Sequence, residues 1–239
     1  MSAGYALIGG GAGQLGTAVA DRLLRAGRKV VVLDLAGPAL PGVEFHETDL
    51  ADETATGERV RLLLDRLGAP EVLVLCQGWS PKGPDGEPVA EAEVSAALFR
   101  QVIDVNLTSC FLLTRTIVPA MAAAGRGRVV LVGSTAADTG RTTAGAAYAA
   151  AKAGLAALTR LFAVRYGRDG VLVNTVAPGK IANPGWAGSG ASTAAYVADI
   201  PLGRLADKDE VAEVVTFLVS DRNTYLTGQT VIVDGGRLA

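Results

Sequence analysis

The sequence predicts an α/β protein with a doubly wound sheet of seven parallel strands and helices on both of its faces. Seven short apolar runs recur along the 239-residue chain, and most of them lack alternating polar residues. Continuous runs of β-branched residues are typical of strands buried on both faces, as in a parallel sheet. Segments with the apolar spacing of amphipathic helices separate these runs, and this alternation favours the doubly wound arrangement.

The individual strands and helices follow from these patterns. The predicted strands are Tyr5–Ile8, Val30–Leu33, Val43–Phe45, Val72–Leu75, Val129–Val132, Val171–Val176 and Val231–Val233. The predicted helices are Leu15–Ala26, Val60–Leu67, Glu93–Ala123, Ala146–Arg165 and Lys208–Val219. Pro119 is expected to kink or end the third helix. No linker and no repeat of fixed period divides the chain, so a single domain over residues 1–239 is expected.

Two stretches are predicted to be loops. Gly78–Pro88 is rich in glycine and proline, and Gly179–Pro201 is rich in small residues without a clear period. Loops at the carboxyl ends of parallel strands often carry function. For the first loop, a plain connection between elements is an equally good interpretation.

Composition and charge argue against several classes of function. The net charge is −2 without a basic run, so binding to nucleic acid is not expected. No run of ~18 apolar residues and no secretory signal is present, so no membrane span is expected and the cytoplasm is the predicted location. Cys76 and Cys110 lack the spacing of metal ligands, so no metal site is expected. His46, the single histidine, comes without a G-x-S-x-G motif, which argues against a Ser-His-Asp triad.

The first predicted strand runs into a glycine-rich loop and then into a helix. The loop consists of Gly9, Gly10, Gly11, Ala12, Gly13, Gln14, Leu15 and Gly16. Glycines there permit a tight turn and let backbone N–H groups approach a pyrophosphate, and the helix N-terminus adds a partial positive charge. This strand–loop–helix context predicts a dinucleotide site.

The second predicted strand is followed by Asp34. A carboxylate at this position can accept hydrogen bonds from the adenosine ribose hydroxyls and repels a 2′-phosphate. Leu35, Ala36 and Gly37 offer no cation to hold that phosphate. The sequence therefore predicts NAD(H) in preference to NADP(H).

Tyr148 and Lys152 are four positions apart in the fourth predicted helix, which places them on one face. A phenol has a pKa of ~10, and a neighbouring ammonium favours its ionised form. Such a pair can exchange a proton with a hydroxyl group while a hydride is transferred. Ser134 follows the strand Val129–Val132 and could hydrogen-bond the substrate oxygen. Asn106 lies inside the third helix, where asparagine is unfavourable unless it faces solvent or has a specific partner.

Together these features resemble the short-chain dehydrogenase/reductase family, which has a Rossmann-type fold, over essentially the whole chain. The matching pieces are the glycine loop, Asp34, Asp49-Leu50, Val105-Asn106, the Ser134 region, Tyr148, Lys152, Asn174 to Pro178-Gly179, and the tail from Leu202 to Gly236. The resemblance implies a homotetramer, with the third and fourth helices in one interface and the C-terminal segment in another.

The resemblance also implies roles for individual residues. Tyr148 is implied to be the general acid/base, with Lys152 assisting it and holding the nicotinamide ribose. Ser134 is implied to position the substrate oxygen, and Asn106 to anchor a water that relays protons to Lys152. The implied cofactor-binding residues are Gly10, Gly13, Gln14, Leu15, Gly16, Asp34, Asp49, Leu50, Cys76, Gln77, Gly78, Tyr148, Lys152, Pro178, Gly179 and Ile181. Residues 183–200 are implied to form a mobile substrate lid.

Four departures from the family pattern affect these expectations. Gly9 and Gln14 stand where the family's glycine loop usually has threonine and glycine. The segment from Leu75 to Gly78 replaces the family's N-N-A-G, so the usual asparagine hydrogen bonds are lost. Asn183 replaces a threonine beside the nicotinamide. Ser134 is 14 positions before Tyr148, where 13 is commoner, so Thr135 is the alternative hydroxyl donor.

The leading hypothesis is an oxidoreductase that transfers a hydride between NAD(H) and a secondary alcohol or ketone. One alternative is a relative that uses the same proton transfer for dehydration, isomerisation or cyclisation. Another is a dinucleotide-binding protein without turnover. The expected substrate is a small keto or hydroxy compound. Trp79, Trp186 and Tyr196 in the two loops favour an aromatic or polycyclic compound slightly over the alternative, a fatty-acyl carrier substrate. The composition is compatible with bacterial secondary metabolism.

Overall fold

The computed structural model describes residues 4–84, 86–140, 144–183 and 190–239. Seven parallel strands form one sheet in the order β3-β2-β1-β4-β5-β6-β7, which confirms the predicted fold class. The strands are β1 (Ala6–Gly9), β2 (Val30–Asp34), β3 (Val43–Glu47), β4 (Val72–Leu75), β5 (Gly127–Val132), β6 (Val171–Pro178) and β7 (Thr230–Val233).

The helices match the predicted ones in place but not in every boundary. They are α1 (Gln14–Arg25), α2 (Glu53–Leu67), α3 (Ala96–Ile103), α4 (Ser109–Ala123), α5 (Ala146–Tyr166), α6 (Gly190–Ala198) and α7 (Lys208–Leu218). The sequence placed α6 inside a loop, since its small residues give no apolar period. Pro119 does not end α4, which continues to Ala123. The predicted third helix is instead divided by a π-helical turn, Asp104–Thr108.

Helices cover both faces of the sheet and enclose two apolar layers. One layer joins the sheet to α2, α4 and α5 through side chains such as Leu63, Leu113 and Leu155. The other joins it to α1 and α7 through Val19 and Val215. Every residue of the central strands β1 and β4 is buried, as expected for apolar runs without polar alternation.

Two helical stretches, Ala96–Ala123 and Ala146–Asp169, are long and apolar enough to cross a membrane by length and composition. Both pack against the sheet, and Leu113 and Leu155 on them are buried in the core. Core helices of soluble proteins pass the same test, so this finding is weak support for a membrane span.

The parallel arrangement decides where a functional site can form. The strands β1, β4, β5 and β6 end at Gly9, Leu75, Val132 and Pro178. Carboxyl ends of parallel strands meet at one edge of the sheet, and in such folds ligands bind in the crevice outside that edge. The loops that follow these strands contain eight of the predicted site residues, namely Gly10, Gly13, Cys76, Gln77, Gly78, Ser134, Gly179 and Ile181.

Candidate active site

The glycine loop after β1 is packed tightly against its own backbone and against the backbone of the loop after β4. Gly10 has a φ of +71°, and a Cβ atom there would lie 2.3 Å from the backbone nitrogen of Gln77. A Cβ atom at Gly16 would lie 2.4 Å from the carbonyl oxygen of Gly10. Larger residues at these two positions would therefore force the loop open, whereas Gln14 starts α1 without any such conflict in the described structure.

The N-terminus of α1 is available to an anion. Its N-cap residue, Gly13, has extended backbone geometry and provides no side-chain cap. The first-turn N–H groups of a helix have no intrahelical partner, and together with the helix dipole they form a binding site for phosphate. The loop and helix thus fit the pyrophosphate of a dinucleotide despite the replacement of glycine by Gln14.

Asp34 lies at the end of β2, beside a cavity of about 1120 Å³. Its two carboxylate oxygens accept hydrogen bonds from the backbone nitrogens of Ala12, at 2.9 Å, and Leu35, at 2.7 Å. These contacts fix the carboxylate next to the glycine loop. The other predicted residues that line this cavity are Gly10, Gly13, Asp49, Leu50, Cys76, Gln77 and Gly78.

Gln77 ties the end of β4 to α4. Its buried Nε2 donates to the hydroxyl oxygen of Ser109, at 3.1 Å, and contacts the sulfur of Cys110 at 3.3 Å. The usual asparagine hydrogen bonds are absent, and Gln77 makes a different side-chain connection at this position. An amide one methylene longer than asparagine makes the connection to the neighbouring helix.

Gly78 lies close to two of the predicted catalytic side chains, Asn106 and Lys152. A Cβ atom at this position would lie 3.0 Å from Asn106 Oδ1 and 3.1 Å from Lys152 Nζ. The absence of a side chain therefore lets the loop after β4 pass directly over the amide and the ammonium.

Asn106 is fully buried within the π-helical turn between α3 and α4. Its Nδ2 donates to the carbonyl oxygens of Trp79, at 2.7 Å, and Val102, at 2.9 Å, while its Oδ1 accepts from the backbone nitrogen of Trp79. This explains an asparagine inside a helix, because its partner is the backbone of the loop that carries Gly78. The side chain acts as a clamp on that loop.

Lys152 is held under the same loop. Its side chain is buried, and Nζ donates to the carbonyl oxygens of Val132, at 2.9 Å, and Gln77, at 3.3 Å. Nζ also lies 5.6 Å from the centroid of the Tyr148 ring. The i, i+4 spacing on α5 therefore places the phenol and the ammonium side by side, as the sequence predicts.

Tyr148 lines a cavity of about 780 Å³ together with Ser134 and Thr135. Ser134 is half-buried and its Oγ accepts a hydrogen bond from the backbone nitrogen of Ala136, whereas Thr135 is buried. Gly179 and Ile181, which follow β6, line the same cavity. The structure thus brings the phenol and both candidate hydroxyl groups to one compartment.

A side-chain contact connects the glycine loop to the segment after β6. Gln14 Nε2 donates to Asn183 Oδ1 at 2.7 Å, and Asn183 also lines the Tyr148 cavity. Gln14 stands where the family pattern has glycine, and Asn183 where it has threonine. The two residues that depart from the pattern are therefore in contact with each other. Leu15 and Pro178 lie beside these segments, in α1 and at the end of β6.

Some expected features lie outside the described residues or act differently. Of the predicted lid, residues 184–189, which include Trp186, lie outside the described residues, whereas Gly190–Ala198 form α6. Residues 141–143, in the loop expected to absorb the altered Ser134 spacing, also lie outside. Burial raises the pKa of Cys76 to about 12 and that of Cys110 to about 11, so both thiols are protonated at neutral pH.

Sequence reasoning missed Arg237 in the cavity wall, and likewise Glu87 and Asp199. Arg237 lines the Tyr148 cavity together with Lys82 and Lys180. A single arginine after a pair of glycines near the chain end belongs to no periodic pattern, so nothing in the sequence indicated that it is buried there.

Comparison with known proteins agrees with this geometry. A family model described as enoyl-(acyl carrier protein) reductase matches residues 10–237. The cis-4-hydroxycyclohexanecarboxylate dehydrogenase of Sinomonas cyclohexanicum is 36% identical over 98% of this chain and 96% of its own length. The 2-dehydro-3-deoxy-L-rhamnonate dehydrogenase (NAD(+)) of Sphingomonas sp. (strain SKA58) is 31% identical over 97% of this chain and 94% of its own length.

A solved structure shows the same fold. The 3-oxoacyl-[acyl-carrier protein] reductase from Brucella melitensis ATCC 23457 superposes with a TM-score of 0.89 at 31% identity, over 98% of this chain and 92% of that chain. The match of fold and of sequence over nearly the full length leads to one conclusion: the chain is an oxidoreductase of the short-chain dehydrogenase/reductase family.

Proposed function

We propose that this protein transfers a hydride between NAD(H) and a secondary alcohol or ketone, with Tyr148 as the proton-transfer group. The observation that supports this most strongly is the pairing of Tyr148 with the buried Lys152, since Tyr148 shares its cavity with Ser134. A nicotinamide, when bound, supplies the hydride acceptor or donor. The protein has to orient the alcohol and to take or return its proton.

Each side chain of the site has a defined task in this proposal. In its ionised form the Tyr148 oxygen takes the proton of the alcohol as the hydride leaves, and in the reverse direction the Tyr148 hydroxyl gives its proton to the ketone oxygen. Ser134 donates a hydrogen bond to the same oxygen, since its side chain is less buried than that of Thr135. Lys152 holds positive charge beside the phenol and reaches toward the nicotinamide ribose. Asn106 positions the loop above Lys152 through its hydrogen bonds to Trp79. A water that relays protons to Lys152 would have to bind beside Asn106.

The cofactor is proposed to lie across the glycine loop and the ends of β2, β4 and β6. The residues proposed to bind it are Gly10, Gly13, Gln14, Leu15, Gly16, Asp34, Asp49, Leu50, Cys76, Gln77, Gly78, Tyr148, Lys152, Pro178, Gly179 and Ile181. The tight backbone packing at Gly10 and Gly16 and the uncapped start of α1 support this arrangement.

Asp34 is proposed to select NAD(H) over NADP(H). Two like charges about 4 Å apart repel each other by ~1–4 kcal/mol near a protein surface, and ~1.4 kcal/mol is a factor of about ten in affinity. We expect Asp34→Ala to reduce the ratio of NADPH to NADH dissociation constants by about tenfold or more. Fluorescence titration with both cofactors measures this ratio.

The matched control is Asp34→Asn, which removes the charge but keeps an oxygen that can accept from the Ala12 nitrogen. This variant should lose the discrimination and bind NADH better than Asp34→Ala does. An unchanged cofactor ratio in both variants would show that Asp34 does not determine the choice of cofactor.

Gly78 is proposed to keep Lys152 in place. We expect Gly78→Ala to lower kcat, because the new Cβ atom would meet Lys152 Nζ at 3.1 Å and Asn106 Oδ1 at 3.0 Å. The neighbours would have to move by a few tenths of an ångström, so kcat should fall by less than the factor on the order of 10² that a displacement of about 1 Å can cost. The control is Gly57→Ala on α2, where a Cβ atom meets nothing within 4 Å. Equal activities of the two variants would contradict the proposed role.

The substrate is proposed to be a small keto or hydroxy compound. The cavity of about 780 Å³ beside Tyr148 is within the size range of small-molecule sites. Because one relative is named for cis-4-hydroxycyclohexanecarboxylate, cyclic secondary alcohols form the first panel to test. Formation of NADH from NAD⁺ with any of them, followed by absorbance, supports the proposal. Turnover of none of them, nor of the matching ketones with NADH, would count against it.

We further propose a single domain that assembles as a homotetramer in the cytoplasm, with residues 183–200 as the substrate lid. Exposed apolar side chains on α4 and α5 support the assembly, among them Phe111, Leu161 and Val164, the last 85% exposed. Such side chains on adjoining helices are typical of an interface. Sedimentation or light scattering of the purified protein measures the oligomeric state, and a monomer would contradict it.

A further inference from the structure

A buried arginine forms part of the wall of the Tyr148 cavity. The side chain of Arg237 is 3% exposed, and its guanidinium carbon lies 3.9 Å from the centroid of the Tyr196 ring. Among the described residues, Nε and Nη1 have no hydrogen-bond partner. The third nitrogen, Nη2, is 3.6 Å from a carboxylate oxygen of Asp199, which is longer than a hydrogen bond.

This arrangement leaves a charge incompletely compensated. A buried ion is strongly unfavourable unless it is paired and hydrogen-bonded. Stacking on Tyr196 offsets part of that cost, but it provides no acceptor for the guanidinium N–H groups. The site is therefore prepared for a further anion.

The same cavity contains additional positive charge. Lys180 and Lys82 line it with Arg237, and Lys180 Nζ lies 5.4 Å from the Tyr196 ring centroid. Partial burial lowers the pKa of Lys180 below its ordinary value, an effect that Glu87 partly offsets. Among the described residues of the lining, Glu87 and Asp199 are acidic and Lys82, Lys180 and Arg237 are basic.

The cations belong to the compartment of the reaction rather than to the nucleotide cleft. Arg237 and Lys180 share the cavity with Tyr148 and Ser134. In the neighbouring cavity, the lining beside the glycine loop is instead acidic at Asp34 and Asp49. An anion bound at Arg237 would thus be attached to the molecule whose hydroxyl or carbonyl group reaches Tyr148.

We infer that the substrate is a hydroxy or keto acid whose carboxylate is bound by Arg237 and Lys180, away from the carbon that reacts. This inference rests on the proposed function, since it names the substrate class of the same site. The planar guanidinium matches a carboxylate through two parallel hydrogen bonds. Because Nε and Nη1 are buried, a carboxylate would reach them only if the adjoining helix α6, which carries Tyr196, moved away from Arg237.

The test uses two ligands of the same shape that differ in charge and cannot be oxidised. Cyclohexanecarboxylate and cyclohexanecarboxamide are titrated calorimetrically into the NADH-saturated enzyme. We expect the carboxylate to bind about 10- to 100-fold more tightly, as charge-assisted hydrogen bonds would give. Arg237→Gln should remove most of this preference, while Arg237→Lys should keep part of it.

Controls separate the subsite from a general effect on folding. Arg222 also stacks on an aromatic ring, at 5.6 Å from that of Phe217, but is not part of the cavity lining, so Arg222→Gln should leave the preference intact. If Arg237→Gln does not fold by circular dichroism, Lys180→Gln provides the second variant and should reduce the preference. Equal binding of the two ligands to the unaltered enzyme would overturn the inference.

Two further results distinguish this inference from the proposed function. Preferential binding of the carboxylate by an enzyme that oxidises no alcohol would support the anion subsite and overturn the redox role. Oxidation of neutral alcohols without any preference for the carboxylate would overturn the subsite alone. Loss of NADH affinity in Arg237→Gln, with the carboxylate preference intact, would assign the cation to the cofactor and also overturn the inference.

Discussion

Replacing Tyr148 by phenylalanine is expected to lower kcat by about 10²–10⁴-fold, the usual contribution of general acid–base catalysis. The substitution removes only the hydroxyl oxygen and keeps the ring that lies beside Lys152. The binding of NADH should therefore be largely preserved. Steady-state kinetics and a cofactor titration on the same preparation measure the two effects.

The matched control for this substitution lies on the same helix. Tyr166, at the end of α5, stacks on Phe162 with ring centroids 5.9 Å apart and lies outside the cavity lining. Tyr166→Phe should retain normal kcat. Comparable activity in the two variants would show that the Tyr148 hydroxyl takes no part in proton transfer.

Replacing Lys152 by methionine is expected to affect rate, cofactor affinity and stability together. The ammonium lies beside the Tyr148 ring and donates to the carbonyl oxygens of Val132 and Gln77. Without it, the phenol loses a neighbouring positive charge, and kcat should fall by about 10²–10⁴-fold. The two buried carbonyl groups also lose their donor, which should lower the free energy of unfolding by ~1–3 kcal/mol.

The control for Lys152→Met is Lys208→Met, because Lys208 is an exposed lysine at the start of α7. Chemical denaturation, kcat and the NADH dissociation constant are measured for both variants. A Lys152→Met enzyme that loses stability but keeps kcat would show that the buried lysine is a structural residue only.

The fold was predictable because its elements carry strong local signals. The strands β1 and β4 are buried on both faces. Their uninterrupted apolar runs in the sequence predict strands of this kind. The π-helical turn at Asp104–Thr108 has no such signal, since it depends on Asn106 reaching the backbone of Trp79. A π-helical turn whose asparagine bonds a residue distant in the sequence cannot be predicted from local patterns.

The candidate site was predictable to the extent that its residues are close in sequence. Tyr148 and Lys152 are four positions apart, so helical geometry alone brings them together. Gln77 reaches Ser109, and Arg237 packs on Tyr196, across separations that no spacing rule covers. For this reason the support that Gln77 gives to β4 and the position of Arg237 in the cavity wall became visible only in the structure.

The transfer of an isotope label tests the central claim most directly. A secondary alcohol accepted by the enzyme is deuterated at its carbinol carbon and incubated with NAD⁺, and the NADH formed is examined by mass spectrometry. The proposed hydride transfer predicts that the deuterium moves from that carbon to the nicotinamide ring. Conversion of the alcohol without label in the cofactor, as in dehydration or isomerisation, would contradict it.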